Sequence, residues 1–137
     1  MVCIYCGDKT RVINSRHQKR LNHGWRRREC LGCRAVFTTI EEAEYSTGLA
    51  VRTTSSGKHT PTNPFSRDRL FVSILQAVGH RRTALEDAGA LTATIIAKLL
   101  QSNANAVVSP DTIRQTSLET LQRFDTVAAT HYKAYHS

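Results

Sequence analysis

Four cysteines, Cys3, Cys6, Cys30 and Cys33, have the clearest capacity for chemistry in this chain. They form a C-x2-C pair, 23 intervening residues and a second C-x2-C pair. Each pair can fold as a tight knuckle that points two thiolates at one ion, and two knuckles complete a tetrahedral Zn(Cys)4 site. The spacer exceeds the usual ~15–20 residues, which a longer hairpin absorbs. Gly7 follows the first pair and Gly32 lies within the second, where a knuckle turn can require positive φ. The competing chemistry is redox. Arg26, Arg27 and Arg28 run toward the second pair, and cationic neighbours lower thiol pKa values. A thioredoxin-like pair needs a βαβ setting, and neither pair has one. The expectation is one structural zinc per chain, in a closed site with no catalytic position.

The elements that must hold such a site are short. TRVINSR (10–16) carries the β-branched residues Thr10, Val12 and Ile13 and reads as a strand. HQKRLNHG (17–24) is polar, ends in Gly and reads as a turn. WRRREC (25–30) returns as a second strand and AVFTTIE (35–41) adds a third. Alternation along WRRREC puts Arg26 and Arg28 on one face, and Trp25 and Arg27 on the other. Trp25 suits either stacking on a base or packing over the zinc site. So small a module buries little apolar surface, so the metal must supply much of its folding energy.

Charge falls in the same place. The chain carries a net +8, of which residues 1–40 contribute +7: nine Lys or Arg against Asp8 and Glu29. Such a patch is the footprint of a polyanion partner, although a Zn(Cys)4 centre is formally 2− and nearby arginines partly offset it. No apolar run approaches the ~20 residues of a membrane span. The start, MVCIYC, lacks the basic leader and apolar core of a signal peptide, so an intracellular protein is expected.

The second half reads as a hairpin and helices. LAVRTT looks like a strand, SSGKH a hairpin tip and TPTNP a stiff exit. Ser66 caps a helix with Leu70, Phe71, Ile74, Leu75 and Val78 on one face, ending at Gly79. Thr83 and Glu86 form a capping box. Ser109 followed by Pro110 starts a third helix, and Asp125 opens a fourth. The six histidines are scattered, there is no Gly-rich phosphate loop, and no Ser–His–acid or Cys–His arrangement is favoured by position. The chain is therefore not expected to be an enzyme.

In this order, the motifs CIYCG, TRVINSR, RRREC, LGC and VFTTIEEAE resemble the NrdR family, bacterial repressors of ribonucleotide reductase genes built from a zinc ribbon and an ATP-cone. The resemblance implies that Cys3, Cys6, Cys30 and Cys33 hold Zn2+, and that Arg11, Arg16, Arg26, Arg27 and Arg28 contact DNA. The family's cone has a hairpin V-x-K-R-D-G, an acidic residue before Pro-Phe and a Lys before Leu. Here Val51 and Arg52 fit, Thr53 stands at the second basic position, Asn63 precedes Pro64-Phe65, and Arg69 replaces the Lys. The C-terminal pattern L-D-x-V-A-Y-x-R-F-A-S-V-Y-R becomes F-D-T-V-A-A-T-H-Y-K-A-Y-H-S. By the same resemblance, ATP or dATP binds between hairpin and helices, at Val51, Arg52, Lys58, Arg69 and Arg114, where the four cations meet phosphates.

The expected architecture is α+β: a small N-terminal zinc ribbon of three short antiparallel strands, then an ATP-cone-like β-hairpin plus four-helix bundle. Residues 1–45 form the DNA-binding domain and 46–137 the nucleotide-binding and oligomerisation domain. The expected function is nucleotide-responsive repression at operator DNA, in the bacterial cytoplasm at the nucleoid. One ribbon is small, so a homo-oligomer is expected. The alternative is a zinc-ribbon module that binds nucleic acid or protein and carries a degraded, non-sensing cone.

Overall fold

The computed structural model describes residues 1–20, 22–52, 62–102 and 106–136. They divide into two compact units, Met1–Ala43 and Glu44–Ser137. The architecture is α+β.

The first unit is a three-stranded antiparallel sheet in the order β1-β2-β3, with β1 at Thr10–Gln18, β2 at His23–Cys30 and β3 at Val36–Glu41. The first two strands run further than the polar HQKRLNHG stretch implied: His17 pairs with Gly24 and Gln18 with His23. The strands leave only 19–22 to connect them, and Asn22, at φ 48°, donates its N–H to Lys19 O at 3.3 Å. A backbone ladder satisfies polar residues as well as apolar ones, so polarity alone overestimated the turn. β1 also carries a bulge: Val12 pairs with Arg28 and Asn14 with Arg27, leaving Ile13 as the extra residue. Among the described residues of this unit, those buried apart from Phe37 are Cys3 and Cys30. One aromatic side chain contributes ~3 kcal/mol on burial, whereas a structural zinc contributes ~10–16 kcal/mol. The metal dominates that comparison.

In the second unit, a short helix α1 (Tyr45–Gly48) leads to β4 (Ala50–Arg52), which pairs antiparallel with β5 (Thr62–Pro64). The expected hairpin tip, with Lys58, lies outside the described residues. Four helices follow: α2 (Arg67–Val78), α3 (Ala84–Ser102), α4 (Pro110–Phe124) and α5 (Thr126–Tyr135). Each packs on two others, in the ring α2-α3-α4-α5. A two-residue strand, β6 (Val107–Val108), pairs parallel with β4 and makes the hairpin three-stranded. Leu49, Ile74, Ile95, Ile96, Leu99 and Leu121 are fully buried in one core, each contributing ~2 kcal/mol. Among the described residues no helix is long and apolar enough to cross a membrane.

The helix starts show why the chain folds this way locally. Ser66 Oγ accepts from Arg69 N at 3.2 Å, and Ser109 Oγ from Thr112 N at 3.0 Å. Each satisfies a backbone donor that has no partner within its helix. At α3 the Thr83 hydroxyl donates to Asp87 at 2.8 Å, so it engages the residue after the expected Glu86. Arg81 explains the exchange: it bridges Asp87 at 2.8 Å and Asp125 at 2.9 Å, and stacks over Phe124 at 4.7 Å.

Asp125 ties the α4–α5 junction together. Its Oδ1 accepts from Val127 N and Ala128 N, and its Oδ2 meets Arg81 and His80. Burial opposes its ionisation, but the Ala128 N–H, Arg81 and His80 outweigh it and hold the carboxyl at about 2. A depressed carboxyl pKa stabilises the fold above the ordinary value near 4; that stabilisation disappears as pH falls through the folded value. The helical unit should therefore lose stability between about pH 4 and pH 2. In urea melts followed by helical circular dichroism, Asp125→Asn should show a lower midpoint at pH 7 and a flatter response across that window. An unchanged acid response would remove Asp125 from this role.

Candidate metal centre, nucleic-acid interface and nucleotide cleft

The two knuckles bring the four cysteines together. The first closes through Cys3 N to Asp8 O at 2.7 Å and Gly7 N to Cys3 O at 3.0 Å, with Gly7 at φ 80° as a tight turn requires. In the second, Arg34 takes the positive φ, at 63°. Gly32 serves a different need there: a Cβ would force the Asp8 carboxylate aside. All four Sγ atoms lie within 4.8 Å of one another. Cys3 and Cys33 are 3.7 Å apart, and Cys6 and Cys30 are 3.4 Å apart. Tetrahedral zinc with Zn–S bonds near 2.3 Å sets its sulfurs about 3.8 Å apart, so the four are positioned to bind a zinc ion. Tyr5 N and Cys33 N donate to Cys3 and Cys30 sulfurs at 3.4 Å, as thiolate ligands need.

The thiols also conflict electrostatically. Burial opposes ionisation of Cys3, but N–H groups of Tyr5 and Cys6 and the neighbouring thiols lower it to about 7. The Asp8 N–H favours a Cys6 thiolate, yet bonding with Cys30, burial and the other thiols push Cys6 up to about 12. The first negative charge holds back the next. A divalent cation removes that conflict by accepting all four as thiolates.

The arginines attributed to DNA fall on two faces of the sheet. Residues paired across an antiparallel ladder share a face. Arg26 and Arg28 share theirs with Cys30 and Phe37. Arg16 pairs with Trp25, Arg27 with Asn14 and Arg11 with Glu29, which puts Arg11, Arg16 and Arg27 on the opposite face. Trp25 therefore does not cover the zinc site. Phe37 does, with Tyr5 edge-on at 6.3 Å.

Three of the five are already engaged. Arg11 forks onto Glu29 at 2.6 and 2.8 Å. Arg26 pairs with Glu41 at 2.8 Å, and Arg28 donates to Thr39 at 3.2 Å. Arg16 and Arg27 are exposed, and among the described residues no ion pair holds either. The free positive charge of this face is thus arranged about Trp25.

In the second unit a cleft of about 320 Å³ opens between the β-strands and α2, α4 and α5. Val51, Arg69 and Arg114 line it. Arg52 is exposed and is not among its lining residues, because strand alternation turns it away from Val51's side. Lys58 lies outside the described residues. Ser73, Tyr132 and His136 also line the cleft, and sequence reasoning passed them over. The available signals were the one-turn spacings Arg69 to Ser73 and Tyr132 to His136, which become informative only once α2 and α5 are known to face each other.

A three-stranded sheet carrying four clustered cysteines, followed by a separate strand-and-helix unit, defines a zinc-ribbon protein with a second, helical domain. Residues 1–41 match the family model described as transcriptional repressor NrdR-like, N-terminal domain. Over 136 residues the chain is 32% identical to a protein of Symbiobacterium thermophilum named transcriptional repressor NrdR, covering 99% of this chain and 87% of that one. It is 31% identical to the like-named protein of Streptococcus gordonii, covering 99% and 83% respectively. The chain belongs to the NrdR family of transcriptional repressors.

Proposed function

We propose that this chain is a nucleotide-responsive repressor that grips double-stranded operator DNA of ribonucleotide reductase genes through its ribbon. Residues 1–45 serve as the DNA-binding domain, and 46–137 as the nucleotide-binding and oligomerisation domain. The observation that carries the reading is the exposed sheet face where uncommitted Arg16 and Arg27 flank Trp25, in the segment holding +7 of the chain's +8. Most such contacts go to phosphates and set register, and one or two arginines read bases.

The cleft is the proposed seat of ATP or dATP. Arg69 and Arg114 approach it from two different helices, an arrangement that suits a polyphosphate. The apolar side chains of Val51, Ile113 and Tyr132 line it too and suit a purine. Occupancy would bias a homo-oligomer, and the assembly would decide which operator spacings are bridged. Ribbons linked in this way gain avidity that one ribbon lacks. A repressor of this kind acts in the bacterial cytoplasm, at the nucleoid.

The test is binding of the zinc-loaded protein to its own reductase promoter and to scrambled DNA, with no nucleotide, with ATP and with dATP. Promoter affinity should differ between nucleotide states by at least about 5-fold, the lower end of ordinary allosteric coupling. Equal, sequence-indifferent binding in all three states would favour a nucleic-acid or protein module with a non-sensing cone.

A further inference from the structure

Trp25 is the chain's one tryptophan, and neither the zinc site nor the uncommitted arginines account for it. It lies on the central strand of the ribbon, with Arg16 of β1 directly opposite on one side and Ile40 of β3 on the other. Side chains directly opposite on a sheet stand with Cβ atoms about 5 Å apart. Trp25 and Ile40 therefore form one apolar ridge, flanked across the sheet by Arg16 and along β2 by Arg27. Ile40 is 59% exposed and Trp25 is half-buried. Phe37 and Cys30, the buried residues of the strands, lie on the other face, so the ridge is not part of that core. Among the described residues no aromatic ring and no guanidinium stacks on the indole.

The charge around the ridge selects what can cover it. Glu29 is the carboxylate that the strands bring to this face, and Arg11 at 2.6 Å and Arg34 at 3.6 Å already hold it. Arg16 and Arg27 have no such partner. A ridge of this kind needs an occupant that is anionic outside and apolar within. Duplex DNA is built that way, with phosphates on the rim and stacked bases behind them. Apolar side chains of DNA-binding proteins wedge between base steps and partly unstack them. Every base offers a π-face on which an indole can stack, and pyrimidine–purine steps open at the least cost.

We propose that Trp25, backed by Ile40, is a wedge residue of the ribbon: its indole enters the operator at a pyrimidine–purine step and stacks on a base, while Arg16 and Arg27 hold the flanking phosphates. No covalent bond is made or broken. The inference rests on the DNA reading above and adds a contact to bases that carries no charge. Wedge and arginines are therefore separable by salt, because only the arginines displace counterions.

Because the chain has a single tryptophan, the fluorescence of the full-length, zinc-loaded protein reports on this residue alone. Saturating promoter DNA should quench it strongly, and heparin, a polyanion without bases, should leave it unmoved. Trp25→Ala should weaken promoter binding about 10- to 100-fold, the loss expected for one stacked base. Its salt dependence should keep the wild-type slope. Trp25→Phe should recover most of the affinity. Replacing the pyrimidine–purine steps of the promoter one at a time should weaken wild type at one step and leave Trp25→Ala indifferent there. If Trp25→Ala loses its zinc, the quenching of wild type answers instead. Unmoved emission with promoter, or equal quenching by heparin, overturns the proposal, as does a shallower salt slope in Trp25→Ala. If Arg16→Ala with Arg27→Ala abolishes promoter binding while Trp25→Ala binds as wild type does, the DNA reading stands and this inference falls. If wild type binds no DNA in any nucleotide state, both fall.

Discussion

Cys30→Ser should empty the metal site and unfold residues 1–43, while the helical signal of the second unit persists. Cys30 is fully buried. It ends β2, pairs with Thr10 and donates its N–H to Ala35 O at 2.9 Å. Its sulfur is also the hinge of the second knuckle, receiving Cys33 N at 3.4 Å. A hydroxyl there leaves three thiolates, and the loss of even part of ~10–16 kcal/mol exceeds anything Phe37 can supply. Zinc per chain should fall from about one to near zero, and the amide resonances of this unit should collapse to the random-coil range. A chelator should produce the same result in wild type. The second unit, with sixteen residues in its buried apolar cluster, keeps its own core and should melt separately. A ribbon that stays folded after zinc removal would contradict the assignment of the metal as its main source of stability.

The second large effect separates the two faces of the ribbon. The double substitution Arg16→Ala with Arg27→Ala should weaken promoter binding on the order of 100- to 1,000-fold, as expected when two uncommitted arginines leave a DNA interface. Arg26→Ala with Arg28→Ala should cost less than about 10-fold. Arg26 spends its charge on Glu41 and Arg28 its donor on Thr39, and an exposed pair of this kind contributes only ~0–1 kcal/mol to folding. Family resemblance attributes DNA contact to all five arginines alike, so the two double variants discriminate directly. The reverse order of losses would move the interface to the face that carries Cys30.

The cysteine spacing and the caps Ser66, Ser109 and Asp125 were legible because each is encoded within a few residues. A cap needs only its own side chain and the next N–H groups, as the Asp125 bonds to Val127 and Ala128 show. β6 was not legible. Its two residues pair with β4 across more than fifty positions, through Ala50–Val107 and Val51–Val108, and two valines carry no local signal for a distant parallel partner. The bulge at Ile13 was equally silent, since β1 reads as plain alternation until its register against β2 is known. The arginine run was visible, but its division was not. Which arginines are neutralised depends on where the ladder sets Glu29 and Glu41, and only the three-stranded register decides that. His136 looked like a stray polar residue because its partner Ser73 lies 63 positions away.

The central claim is that a zinc-built basic face grips DNA. It is tested most directly by measuring promoter affinity of the zinc-loaded wild type as salt is raised. Binding that neutralises about four phosphates should lose at least about 100-fold in affinity between about 50 and about 200 mM salt. An affinity that stays flat over that range would contradict the claim and leave the ribbon's charge without a polyanion partner.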